Sequence, residues 1–154
     1  MTIEIKKSVK PIKYKSAIDI LEDRLEQIKE LSPEKIMSNL VSGCLMPFIR
    51  QRPFNKIADP KNQPRDIFIS GWNTAPLSVN LDLGLRGRRS QFQAGVSVLD
   101  KITKGNVHLS YYENSVSETL IDLEDVVSHT VKGPHPAGNV GIHIHHIAPL
   151  GSND

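Results

Sequence analysis

The most chemically pointed stretch of the chain is Phe48-Ile49-Arg50-Gln51-Arg52-Pro53-Phe54, with Lys56 two residues further on. Pro53 biases Arg52 toward extended backbone, and in an extended run alternate residues share a side. Phe48, Arg50, Arg52 and Phe54 then project together. Two aromatic faces and two guanidinium forks form a set able to stack on a flat ring and donate to its carbonyl oxygens. The competing reading is structural, because such arginines commonly tie a loop to nearby carboxylates or helix ends.

Histidine gathers near the end of the chain as His135, His143, His145 and His146, four of six in total. The alternation His143-Ile144-His145 suits a strand-borne metal site. No second cysteine stands nearby, and no acidic residue lies between Gly133 and His146 to serve as ligand or partner. No metal is therefore expected, and buried or turn-stabilising roles are the better reading for these rings. Asp122, Glu124 and Asp125 read as a solvated face. Ser42, Ser90 and Cys44 lie in no nucleophile motif. Arg86, Arg88 and Arg89 form too small a patch, without interleaved aromatics, to indicate nucleic acid.

Strands, helices and loops must position these groups. Residues 16 to 28 carry Ile18, Leu21, Leu25 and Ile28 at helical spacing. Ser32-Pro33-Glu34 starts a second helix, with Ser32 capping and Pro33 at the first position; Ile36, Leu40 and Val41 supply its buried side and Gly43 stops it. Met46 to Arg65 carries four prolines and is irregular. Arg65 to Ser70 reads as a buried strand. Phe92, Val96, Leu99 and Ile102 mark a helix ended by Gly105, whose Gly95 would allow close approach to the sheet. Val107 to Tyr112 is the next strand, and Asp125 to Val131 a further one before the turn Gly133-Pro134-His135-Pro136-Ala137-Gly138. Strand, helix and strand in this order predict an α/β fold with a right-handed crossover and a parallel sheet.

Ligands of such a fold lie beyond the carboxyl ends of the strands, so the loop Gly71-Trp72-Asn73-Thr74-Ala75-Pro76 is the first place to look for a site. It is not a G-x-G-x-x-G phosphate cradle, and Pro76 removes an amide donor. NADH is not expected here. The composition agrees with one globular domain: 154 residues, 38% hydrophobic, and a formal net charge of only +2. The single cysteine excludes an intramolecular disulfide and points to a reducing compartment, the cytoplasm. No apolar run is long enough to span a membrane directly, so membrane association is expected through partners.

Taken in order, Arg50-Gln51-Arg52-Pro53-Phe54, Asn73-Thr74-Ala75-Pro76-Leu77 and Gly133-Pro134-His135-Pro136-Ala137-Gly138, with Gly141, His143 and His145, resemble the A subunit of the sodium-translocating NADH:quinone oxidoreductase. The helix residues Phe92, Gly95, Leu99, Thr103, Gly105 and Val107 are similar as well, so the resemblance runs from about Pro33 to Leu150. It implies a peripheral subunit on the cytoplasmic side of the bacterial inner membrane, in a complex that passes electrons from NADH to quinone and expels sodium ions. It further implies that the flavins and the iron-sulfur centre belong to other subunits, that no cofactor is bound by this domain, and that those subunits and quinone are its partners.

The fold so implied is a Rossmann-like parallel-sheet core with flanking helices. It is similar to the flavin-binding domain of the complex I flavoprotein subunit, without the flavin loop. Residues 1–15 are then the exit strand or linker of a preceding domain, 16–150 the domain itself, and 151–154 the end of the segment. The resemblance makes Phe48, Arg50, Arg52, Phe54 and Lys56 the expected quinone contacts and assigns no catalytic residue. Asn73, Thr74, Pro76, Gly133, His135, Gly138, His143 and His145 are motif positions without an assigned role. The family usually has glycine where this chain has Cys44, and an aromatic where it has Met46. Those two departures suggest a branch that uses a different quinone.

Overall fold

The helix announced by Ser32-Pro33-Glu34 runs Pro33–Ser42 (α1), with the Ser32 hydroxyl accepting from the Lys35 amide and Pro33 in the first turn. The computed structural model describes residues 26–28 and 30–151. The proposed exit strand over 1–15 and most of the helix expected from residue 16 lie outside those residues, although Glu26, Gln27, Ile28 and Glu30 are helical. Lys101 joins this end of the chain to the body of the fold, its ammonium donating to the carbonyls of Leu31 at 3.2 Å and Ile28 at 3.5 Å. Cations favour exposed helix-terminal carbonyls in this way.

A 3₁₀ turn at Met46–Phe48 leads into two short antiparallel strands, Arg50–Gln51 (β1) and Lys56–Ile57 (β2). The main sheet follows: Ile67–Ser70 (β3), Val107–Tyr112 (β4) and Val127–Val131 (β5), all parallel, in the order β3-β4-β5. Between β3 and β4 stand a short helix Leu81–Gly84 (α2) and the longer Arg89–Ile102 (α3); after β5 comes Val140–Ile147 (α4). The expected strand–helix–strand unit and parallel sheet are thus observed. β3 is only half-buried along its length, against the expectation of a buried strand, because it is an edge; the central β4 buries Val107 to Ser110.

α3 packs against β4 and α1, and α4 packs against β3. Val96, Ile102, Val107, Leu109, Leu120 and Ile144 form the core, with Ile36 of α1. Val41, expected on the buried side of α1, is exposed, and Gly95 is exposed with open space where a β-carbon would stand, so it allows no close approach. No helix connects β4 to β5. The segment 113–126 is held instead by Arg89, which donates to the carbonyls of Glu118, Ile121 (2.6 Å) and Asp122, and by Thr119, whose hydroxyl donates to the Leu85 carbonyl at 2.8 Å. Among the described residues, no helix is long and apolar enough to cross a membrane.

α1 ends where expected, with Gly43 as its C-cap, but the left-handed residue that closes it lies one position further on. Gly43 keeps a negative φ, and Cys44 takes the left-handed conformation at φ 54°. The Cys44 amide donates to Val41 O at 3.1 Å and the Leu45 amide to Leu40 O at 2.9 Å. This pair of bonds is the Schellman closure, and its left-handed position is normally glycine. A glycine expected from the resemblance at position 44 therefore has a backbone reason, since an L side chain in that region costs about 1–2 kcal/mol. Replacing Cys44 by glycine relieves the strain and adds unfolded-state entropy of roughly 0.5–1 kcal/mol. Urea unfolding of Cys44→Gly is expected to show a net gain of about 0.5–1 kcal/mol; an unchanged midpoint would show that the strain is absorbed elsewhere.

Candidate functional site

The chain leaves β3 at Ser70 and crosses the carboxyl ends of the strands as Gly71 to Ser78. The Gly71 amide extends the ladder to Ser110 O at 2.7 Å. The loop is then braced internally: Asn73 Oδ1 accepts from the Ala75 amide at 2.9 Å, and the Ser78 hydroxyl donates to Asn73 O at 3.0 Å. Against it lies the loop Gly133–Gly138. The Gly138 amide donates to Thr74 Oγ1 at 3.0 Å, and Thr74 Oγ1 pairs with His135 Nδ1 at 3.2 Å. The Ser70 hydroxyl donates to Trp72 O at 2.8 Å, with Gly138 O at 3.3 Å. Two of the motifs read separately in the sequence are thus one structure. His135 ties the second loop to the first through Thr74.

The contact between these loops needs glycine. A β-carbon on Gly138 would stand 2.6 Å from the Thr74 nitrogen and 3.0 Å from Asn73 Cα, inside the backbone of the facing loop. Just beyond, Asn139 caps α4 by accepting from the Gly141 amide at 3.0 Å. His143 and His145 therefore sit on a helix. The alternation read as a possible strand does not survive the Asn139 cap, and the two rings diverge: His143 is buried and His145 exposed. His143 Nε2 donates to the Ala137 carbonyl at 2.7 Å, which leaves Nδ1, buried and without a partner among the described residues, as its unprotonated nitrogen when the ring is neutral.

Beside the Gly71–Ser78 loop a cleft of about 230 Å³ is lined by Gly71, Trp72, Asn73, Asn80, Asp82 and Tyr112, with Ser78, Val79 and Leu81 completing it. Trp72 and Tyr112 stack with ring centroids 4.9 Å apart. The Ser115 hydroxyl fixes Asp82 by donating to Oδ1 at 2.8 Å. The loop, Trp72 included, was named as the first place to look; Tyr112, Asn80 and Asp82 were not. The lone tryptophan directly after a strand end was the available signal.

Phe48, Arg50, Arg52, Phe54 and Lys56 lie along one 3₁₀ turn and the β1–β2 hairpin that follows it, not on one extended run. Only Arg50–Gln51 is strand; Phe48 closes the 3₁₀ turn, and Arg52–Asn55 form the turn of the hairpin, with a cis Arg52–Pro53 bond and Asn55 in the left-handed region that asparagine tolerates. The four side chains therefore do not share one strand face. Phe48 and Phe54 are each 82% exposed. Among the described residues Arg50, Arg52 and Lys56 make no ion pair and no side-chain hydrogen bond. No Asp or Glu occurs from Leu45 to Ala58, so the hairpin is uniformly cationic. Met46, in the 3₁₀ turn, is buried with the core.

Comparison with known proteins decides the family. Residues 31–154 match the family described as NqrA second alpha/beta domain. The chain belongs to that family. Over 125 residues, 81% of this chain, it is 37% identical to the A subunit of the Na(+)-translocating NADH-quinone reductase of Histophilus somni (strain 2336). The same subunit of Pseudomonas aeruginosa (strain UCBPP-PA14) is 35% identical over 127 residues, and that of Yersinia pseudotuberculosis serotype O:1b (strain IP 31758) 34% identical over 125. The resemblance read from the motifs is borne out. The matched stretch covers 28% of the length of each of these relatives.

A histidine network that the sequence reading did not single out lies on the sheet of this NqrA second alpha/beta domain. His108 of β4 stacks on Phe68 of β3, centroids 4.6 Å apart, and its Nδ1 lies 3.0 Å from Nε2 of His129 on β5. Its Nε2 is 3.8 Å from Asp66 Oδ1. Burial opposes ionisation of Asp66 but is outweighed by the Asn106 amide, the Arg65 hydrogen bond at 2.9 Å, and the Arg65 and His108 charges; its pKa falls below the ordinary aspartate value. Burial, then the nearby His108 and His143 rings, push His129 below the ordinary histidine value. Among the described residues no group of three His, Cys, Asp or Glu is placed to hold a metal ion.

Two outcomes follow. Gly138→Ala must force the Gly133–Gly138 loop off Asn73–Thr74, and calorimetry is expected to show a loss of about 1–3 kcal/mol, the usual range for overpacking. His129 takes up its proton less readily folded than unfolded, so stability is intact above the ordinary histidine pKa of about 6.5 and is lost as pH falls through that value toward the depressed folded one. Urea unfolding between pH 8 and pH 5 is expected to show this acid-side loss, reduced in His129→Gln; an equal slope in both proteins would remove His129 from the account.

Proposed function

We propose that the chain serves within a sodium-translocating NADH:quinone reductase of the bacterial inner membrane, as a scaffold domain of the peripheral A subunit on the cytoplasmic side, and that its cationic hairpin contacts quinone. In this reading the sheet is a Rossmann-like core without the glycine-rich phosphate cradle. NADH, flavins and the iron-sulfur centre are held by the other subunits, which are its partners. The observation that carries the quinone contact is the hairpin itself: Arg50 and Arg52 make no ion pair or side-chain hydrogen bond among the described residues, and Phe48 and Phe54 beside them are 82% exposed.

The chemistry follows from the side chains. A quinone presents a flat apolar ring and two carbonyl acceptors, and carries no donor. A guanidinium supplies fixed N–H donors and a charge that develops its full effect when a carbonyl oxygen gains electron density. Phenylalanine faces offer the ring a surface to lie on. The hairpin holds no proton-transfer residue, so its part is binding and polarisation, with the proton taken up elsewhere.

The same exposed hairpin would serve a purely structural role by docking carboxylates of a neighbouring subunit. Titration of the chain with a water-soluble short-chain quinone, followed by backbone amide shifts, separates the two. Saturable shifts confined to residues 48–56 are expected, with affinity reduced about 10- to 100-fold in Arg50→Ala or Arg52→Ala, the weight of one charge-assisted hydrogen bond. No saturable shift at millimolar quinone would leave docking as the role of the hairpin.

A further inference from the structure

The cleft at the carboxyl ends of β3 and β4 has a donor and acceptor pattern that its hydrogen bonds make explicit. Asn73 and Asn80 both line it, and in both the side-chain oxygen is already engaged: Asn73 Oδ1 accepts from the Ala75 amide and Asn80 Oδ1 from the Asp82 amide, each at 2.9 Å. Those bonds fix the orientation of each amide, because a flipped group would oppose two N–H donors. Each Nδ2 is then left as a donor without a partner among the described residues. Asp82 also lines the cleft; its Oδ1 is bound to the Ser115 hydroxyl, and its Oδ2 remains an acceptor.

One wall is aromatic, the stacked Trp72–Tyr112 pair. A stacking wall selects a planar ligand, and the polar groups say what the edge of that ligand must carry. Two amide donors call for carbonyl or ring-nitrogen acceptors, and the carboxylate calls for an N–H beside them. A quinone does not answer this pattern, since it has acceptors only and would set a carbonyl oxygen against Asp82. A phosphate does not answer it either: no Lys or Arg lines the cleft, and the carboxylate repels an anion. Its volume of about 230 Å³ is below the ~300–1,000 Å³ usual for drug-sized ligands. There is room for one ring system and not for a dinucleotide.

We propose that this cleft binds a planar heterocycle of the nucleobase type whose edge places a ring N–H next to a carbonyl, stacked on Trp72, with the N–H donating to Asp82 and the carbonyl accepting from Asn73 or Asn80. The site is separate from the cationic hairpin, and the proposal does not depend on the quinone reading. Uridine and inosine carry the required edge. 3-Methyluridine keeps the ring and its stacking face but replaces the N–H by a methyl group, so it reports on Asp82 alone.

Trp72 is the only tryptophan of the 154 residues, so its indole N–H gives one resolved signal at the site. Titrating the chain with uridine, inosine, 3-methyluridine and a water-soluble benzoquinone is expected to move that signal saturably with the first two, with 3-methyluridine at least about tenfold weaker. Asp82→Asn retains an oxygen for Ser115 and is expected to erase the preference for uridine over 3-methyluridine. Asn80→Asp retains the oxygen that caps α2 and removes the donor, and is expected to weaken uridine and inosine alike. Unchanged thermal midpoints confirm that both variants fold. The proposal is overturned if neither uridine nor inosine shifts Trp72 saturably at millimolar concentration, if 3-methyluridine binds as well as uridine, or if benzoquinone is the tightest ligand at Trp72. The quinone reading is scored separately, at the amides of residues 48–56.

Discussion

The peptide joining Asn73 to Thr74 lies against Gly138 with no room for a methyl group, and much of the site's arrangement depends on that contact. It brings a loop leaving β3 against a loop leaving β5, 64 residues away in sequence, and locks them with the Gly138 amide on Thr74. Interiors pack at crystal-like density, so a contact this close fixes relative position and not merely proximity. Once Gly138 is placed, Asn139 can cap α4 in only a narrow range of directions, and α4 then delivers His143 back to the Ala137 carbonyl of the same loop. The other face of the Asn73 loop, braced by its own Asx and serine bonds, becomes one side of the cleft. A single van der Waals constraint therefore coordinates an edge strand, a helix start and a candidate ligand site.

What the sequence disclosed was mostly local. Ser32-Pro33 marked a helix start because capping and proline geometry act within one turn, and the core of β4 and α3 was visible because period and burial coincide there. Failures arose where a neighbour outside the window decided. Gly43 does end α1, yet the left-handed position falls at Cys44, and only the Schellman bonds from Leu45 and Cys44 reveal it. His143 and His145 alternate as strand residues do, but a single asparagine cap converts them to helix. Gly95 and Val41 sit on sequence-apolar faces that nothing in the described fold covers. The contrast between β3 and β4 is topological: which of two similar apolar runs lies at an edge is not a property of either run.

The site divides along the same line. Motif positions 73, 74, 135 and 138 could be named from the sequence, whereas their union could not, because hydrogen bonds spanning more than 60 residues carry it. His108 and His129 were passed over because each stands alone in its strand; only the parallel register of β4 and β5 brings His108 Nδ1 within 3.0 Å of His129 Nε2. The burial and the neighbouring rings that lower the His129 pKa thus follow in part from strand pairing.

The hairpin and the cleft are chemically opposed, and that opposition constrains any account of the domain. Around Phe48 to Lys56 every charged group is a donor and no carboxylate intervenes, so a ligand there must be acceptor-rich. In the cleft a carboxylate stands among amide donors, so a ligand there must bring its own N–H. One molecule cannot satisfy both surfaces equally well. On the readings proposed above a quinone suits the first and meets a carboxylate with an acceptor in the second, the kind of mismatch that discriminates strongly because it leaves a desolvated group without a partner. If both surfaces are used, they serve different partners.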